Sequence, residues 1–196
     1  IPTHKDCIRV GQPYRIFKTL RDKLQAIVTD IEHLQQAGRA VLIGTPSVER
    51  SETLGEMLRE KGYAPQILNA KKHKEEADIV AEAGHSRRIT IATNMAGRGT
   101  DILLDEDVRK NGGLHVIATE LHSSYRIDRQ LVGRCARQGD PGTFQFFLSL
   151  DDELLRCLSK DKLKRIREQA VPDANGELPQ TWLKFFRKTQ RFLERQ

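Results

Sequence analysis

The chain has 196 residues, enough for one substantial domain or one domain with an appendage, because single cores fill by roughly 100 to 200 residues. Hydrophobic residues make up 38% and charged residues 31%, a balance that excludes a disordered chain and fits a globular one. Lys and Arg number 33 against 27 Asp and Glu, a formal charge of +6, which favours acidic partners without choosing among nucleotide phosphates, nucleic acid and anionic lipid headgroups.

No apolar run approaches the roughly 18 to 20 residues that a membrane-spanning helix requires, and the opening IPTHKDCIRV holds no apolar signal core. Its start on Ile without Met reads as a piece of something longer. Cys7, Cys135 and Cys157 are odd in number and far apart, with no Cys-x-x-Cys pair, which predicts a reducing compartment and no structural zinc. The six histidines form no His-Glu-x-x-His, so no metal ligands are assigned.

In chain order, Leu24, Ile27, Val28, Ile31 and Leu34 recur at three-and-four spacing and predict a helix over Arg21–Ala37, stopped by Gly38. A short apolar strand follows at Ala40–Gly44, and Thr45-Pro46-Ser47 opens a second helix that runs through Leu54, Met57 and Leu58 to Gly62. The alternation continues with a strand at Gln66–Asn69, a helix at Lys74–Ala83 and a strand at Ile89–Ala92. Further strands are expected at Ile102–Leu104, Leu114–Ala118 and Thr143–Leu148, with a helix over about Ser124–Arg134 between the last two.

Short strands alternating with helices, several apolar on both faces, predict an α/β fold with a parallel sheet covered by helices. Past Leu150 the composition changes. Asp151–Arg167 reads as a basic helix, and Gln180–Arg195 as a helix mixing Trp182, Phe185, Phe186 and Phe192 with four basic residues. The division expected is a domain over 1–150 and a helical extension over 151–196 that packs on something else.

Two polar stretches carry candidate chemistry. Ala92–Asp101, ATNMAGRGTD, follows a predicted strand, where ligands of parallel sheets collect. Gln130–Asp140, QLVGRCARQGD, sets Arg134 and Arg137 three residues apart, so on a helical turn both guanidinium groups reach one phosphate or its neighbours. With Arg98 they look like one device, since an arginine delivered from a neighbouring lobe to a transferring phosphoryl group supplies roughly a 1,000- to 100,000-fold rate gain. No Gly-x-x-x-x-Gly-Lys-Ser/Thr loop occurs, so this sequence holds at most half of a nucleotide site.

Five blocks in one order, Val41–Glu52, Leu68–Ala77, Ile91–Ile102, Gly112–Ile117 and Gln130–Asp140, resemble the second nucleotide-binding domain of SecA, the motor ATPase of bacterial protein secretion. The likeness runs from about Ile1 to Leu155. It implies a RecA-like lobe of the P-loop NTPase superfamily, of the helicase C-terminal type, closing over ATP and Mg2+ bound mainly by an N-terminal RecA-like lobe of the same protein. It further implies nucleotide-binding roles for Gly97, Arg98, Gly99 and Asp101, catalytic roles for Arg134 and Arg137, and a coupling role for Gln138. Expected partners are a preprotein and a membrane translocon, with the protein cytoplasmic and peripheral at the plasma membrane; nucleic acid is not expected.

The sequence departs from the family's pattern at Val132, where a basic residue is usual, at Cys135-Ala136 in place of Ser-Gly, and in a short link from Leu104 to Gly112. Two other readings stand beside this one. The Gln-x-x-Gly-Arg-x-x-Arg pattern also fits the second lobe of a superfamily-2 nucleic-acid helicase, and a non-catalytic interaction module derived from such a lobe is the third.

Overall fold

The computed structural model describes residues 6–68, 73–93 and 100–196, with the backbone alone at 73–77. The elements run β1 (Arg9–Gly11), β2 (Arg15–Phe17), α1 (Leu20–Gln36), β3 (Val41–Thr45), α2 (Val48–Glu60), β4 (Gln66–Leu68), α3 (His73–Glu82) and β5 (Ile89–Thr93). There follow α4 (Glu106–Lys110), β6 (Leu114–Ala118), α5 (Tyr125–Val132), β7 (Gly142–Ser149), a 3-10 turn (Glu153–Cys157), α6 (Lys160–Gln169), β8 (Glu177–Leu178) and α7 (Leu183–Leu193).

The strands lie in the order β4-β5-β3-β6-β7-β2-β8, with β1 also on β7. Every pairing is parallel except that of β8 with β2. Central strands are apolar on both faces because both are covered. Val41, Ile43, Ile89, Ile91 and Ile117 face the layer of α1 and α2, with Leu24, Ile27, Ile31, Leu54 and Leu58. Leu42, Ala92, Leu114 and Val116 face Val80 of α3 and Val108 of α4.

Local chemistry fixes the helix starts. Thr19 and Ser47 cap α1 and α2, their side chains accepting from the Asp22 and Arg50 backbone N–H groups, which satisfies donors that a helix start leaves unpaired. Gly44 in β3 lets α5 come close, since a Cβ there would stand 2.4 Å from Leu131 Cδ2.

The structure corrects two expectations and adds strands that the sequence does not announce. Ile102–Leu104 forms no strand. Ile102 and Leu104 are buried while Leu103 is 68% exposed, the alternation of a strand, but the segment lies against the end of α3. There Asp105 N–H donates to the Gly84 carbonyl at 3.2 Å, and a Cβ on Gly84 would stand 1.9 Å from Leu103 O. Both flanks of β5 are already taken by β3 and β4.

The single helix expected over Asp151–Arg167 is a 3-10 turn and then α6, broken where Leu158 is extended and the Ser159 side chain caps a new helix. The helix expected over about Ser124–Arg134 runs over Tyr125–Val132, within two residues of its expected bounds. The short strands β1, β2 and β8, which border β7 or β2, were not anticipated at all; three residues or fewer carry no readable period. Asn69, placed in a strand by its sequence, lies outside the described residues.

The segment after β7 packs on the β7 side of the sheet. Leu154, Leu155, Ala170, Leu178 and Phe186 form a cluster with Ile16, Phe146 and Leu148. No described helix is long and apolar enough to cross a membrane.

Candidate functional site

Helix α5 begins at the Ser124 cap and ends at Val132, and the chain past it forms an irregular hook. Its first turn continues the helix, with Gly133 N–H donating to Arg129 O at 2.9 Å and Arg134 N–H to Leu131 O at 3.0 Å. Then Ala136 and Gln138, both at φ 54°, and Gly139 at φ 82° turn the backbone left-handed, a conformation that non-glycine residues hold only when their surroundings fix it. Cys135 and Ala136 are held against Gly142, the first residue of β7, where a Cβ would meet Ala136 N at 2.7 Å. Arg9 Nε donates to Cys135 O at 3.1 Å from the neighbouring strand. The hook therefore sits beside the amino ends of β1 and β7 rather than beyond the carboxyl edge of the sheet.

Three of the residues singled out by sequence meet there. Arg137 Nη1 lies 2.5 Å from Asp101 Oδ1, and Gln138 Nε2 donates to Asp101 Oδ2 at 3.3 Å. Arg137 Nε also donates to Gly133 O at 3.0 Å, which folds the side chain back along the hook. Arg134 is half-buried, with Nη1 3.5 Å from Thr100 O. Burial, followed by the Arg137 charge, pushes the Arg134 guanidinium below its ordinary range, and Asp101 opposes them. The two arginines thus reach adjacent residues of the chain, Arg134 to Thr100 O and Arg137 to the Asp101 carboxylate. Gly97, Arg98 and Gly99 lie outside the described residues.

The Arg137–Asp101 pair is open to water, with side chains 41% and 52% exposed. Exposed ion pairs contribute about 0 to 1 kcal/mol, so Asp101 restrains Arg137 only weakly. The donor set fits a phosphate chain. No group of three or more His, Cys, Asp or Glu gathers among the described residues.

A second polar cluster, which no sequence motif flagged, lies at the carboxyl edge. Lys23 of α1, 2% exposed, donates to Asp152 Oδ1 at 2.5 Å and to Thr119 O at 2.6 Å. Asp152 accepts further from Ser149 N–H at 2.9 Å and Ser149 Oγ at 2.7 Å. Burial pushes the Asp152 carboxyl up, against the pull of Lys23 and Ser149. Beside it Glu120 accepts from Glu153 N–H at 3.0 Å, and burial together with the Asp152 charge pushes its carboxyl up to about 7. The sole hint in sequence is Lys23 falling next to Leu24 on an otherwise apolar helix face.

Among the described residues, an eight-stranded sheet, parallel but for one edge strand, with helices on both faces and an arginine hook after α5, defines a RecA-like α/β lobe of the helicase C-terminal type. Solved structures agree on the fold. A chain of the Escherichia coli DEAD-box protein SrmB superposes with a TM-score of 0.57 at 23% identity, covering 79% of this chain and 93% of that one. Domain 2 of the DEAD-box helicase Mss116p gives 0.51 at 19%, covering 74% and 55%. The sequence model of the SecA P-loop domain matches residues 6–109 and 105–173, and the chain belongs to that family.

Curated relatives named protein translocase subunit SecA include those of Solidesulfovibrio magneticus, 51% identical over 86% of this chain, and Clostridium tetani, 52% identical over 86%. The Endomicrobium trichonymphae protein is 48% identical over 93%. The chain spans about a fifth of the length of these relatives, 20%, 20% and 22% respectively.

Proposed function

We propose that this chain is the second lobe of a SecA-type ATPase, presenting Arg134 and Arg137 to an ATP–Mg2+ site whose phosphate loop and metal ligands belong to an N-terminal RecA-like lobe. The observation that carries the reading is the meeting of Arg137, Gln138 and Asp101 with Arg134 alongside, on a chain whose sequence has no phosphate loop. Charge develops on the phosphoryl oxygens as the terminal group transfers, and guanidinium groups already in place stabilise it without reorganising. Asp101 parks Arg137 while the lobes are open. Closure exchanges the carboxylate for phosphate, and Gln138, freed from the same carboxylate, passes that change on. Mg2+ supplies charge neutralisation between the phosphates when bound.

In this reading residues 1–150 form the nucleotide lobe and 151–196 its helical extension. Gly97, Arg98 and Gly99 complete the nucleotide contact, and Gly97 and Gly99 leave room for close backbone approach. The complete protein couples hydrolysis to export of preproteins through a membrane translocon and works as a cytoplasmic protein at the inner face of the plasma membrane. The identities of 51 and 52% to SecA subunits support this assignment.

The test is Arg134→Ala and Arg137→Ala in the complete protein. Each lowers turnover by about 100-fold or more, as loss of a transition-state charge does, while ground-state ATP affinity stays near that of the parent. Turnover equal to the parent in both variants would remove the arginines from catalysis.

A further inference from the structure

A third polar cluster joins α5 to α7. Asp128, on the first turns of α5, is 2% exposed, and its carboxylate is shared between two parts of the chain. Oδ1 accepts from His122 N–H at 3.0 Å and lies 2.7 Å from His122 Nδ1. Oδ2 accepts from Gln190 Nε2 of α7 at 2.6 Å and stands 3.9 Å from Arg187 Nη1. Gln190 Nε2 also donates to His122 O at 2.8 Å, and Arg187 Nη1 donates to Gln190 Oε1 at 2.8 Å. Arg187 lies over the rings of Tyr14 and Tyr125, 5.2 and 5.4 Å from their centroids. Just past α7, Glu194 Oε1 accepts from Tyr125 N–H at 2.5 Å, so the extension caps the first turn of α5.

A buried carboxylate stripped of its partners is much less stable than one that keeps them. When α7 shifts, α5 therefore follows it more readily than it releases it. The hook is the direct continuation of α5, tied to it through Gly133 and Arg134 N–H and through Arg137 Nε. At its other flank Leu131 rests on Gly44 of β3 with no room for a Cβ, a close contact that seats the last turn of α5 on the sheet. We propose that Asp128 is a positioning residue through which the seating of α7 sets the reach of Arg134 and Arg137. The inference rests on the reading of those arginines as phosphate ligands, but its first test does not.

Amide hydrogen exchange is measured on this chain, on Asp128→Asn and on Gln190→Ala, well below the unfolding temperature. In both variants the amides of residues 134–140 exchange about tenfold faster or more, while those of β3, β5 and β6 stay within about twofold of the parent. The double variant exchanges no faster than the more affected single one, because both break the same link. Faster exchange confined to α7, with the hook unchanged, would overturn the proposal, and Gln190→Ala decides the point if Asp128→Asn does not fold. In the complete protein Gln190→Ala lowers kcat at unchanged nucleotide affinity. If Arg134→Ala and Arg137→Ala leave turnover intact, the ATP reading fails, and the exchange result still judges the link.

Discussion

Glu120 is the residue whose behaviour should show most plainly in solution. Its carboxyl is pushed from an ordinary 4.5 up to about 7, first by burial and then by Asp152. Between those two values the folded protein holds a proton that the unfolded chain has lost, so stability falls as pH rises through the window and levels off above it. At 1.36 kcal/mol per pKa unit the cost of ionising the folded protein is about 3 kcal/mol. Glu120→Gln removes that slope. In urea unfolding the variant gains about 2 to 3 kcal/mol relative to the parent between about pH 5 and about pH 8. A difference between variant and parent that does not change with pH would contradict the account.

Among the elements, α1 shows how a single charge fixes a helix to the sheet. Its apolar face covers β3, β5 and β7, and at its first turn Lys23 enters the carboxyl edge to meet Asp152, both all but inaccessible, with side chains 3% and 1% exposed. Lys23→Met keeps most of the volume and leaves a buried carboxylate without its cation, a loss of about 3 to 5 kcal/mol in chemical denaturation. Adding Asp152→Asn to Lys23→Met recovers a large part of that loss. Full independence of the two substitutions would show that the pair is not coupled.

The elements with a clean period were legible in advance. Those of α1, β3, α2, β5, β6 and β7 lie within a residue or two of their expected bounds, because alternation and three-and-four spacing report burial directly. What escaped has physical causes. Ile102–Leu104 alternates because it crosses a helix end, and alternation records burial, not pairing. Arg134 and Arg137 were expected to share a helical turn. They are gathered instead by a hook with left-handed Ala136 and Gln138, a conformation that tertiary contacts impose and residue type does not announce. Asp101 has a nucleotide-binding role by resemblance, yet its bond to Arg137, 36 positions away, is a fact of folding alone. Lys23–Asp152 and Asp128–Gln190 left almost no mark, since a buried charge at one position looks like a solvated one until its partner is known.

At the scale of the molecule, the lobe is a mostly parallel sheet with its candidate chemistry on one flank and the segment after β7 on the other side of α5. The extension shares a core cluster with β2 and β7 and holds α5 through Asp128. The central claim, that this lobe completes an ATP site begun elsewhere, is tested most directly by hydrolysis in trans. Turnover is measured for this chain alone, for a separately produced N-terminal lobe carrying the phosphate loop, and for the mixture. The account predicts no hydrolysis by this chain alone and stimulation of the N-terminal lobe on mixing, abolished by Arg134→Ala or Arg137→Ala. Substantial turnover by this chain alone, or equal stimulation by the arginine variants, would contradict it.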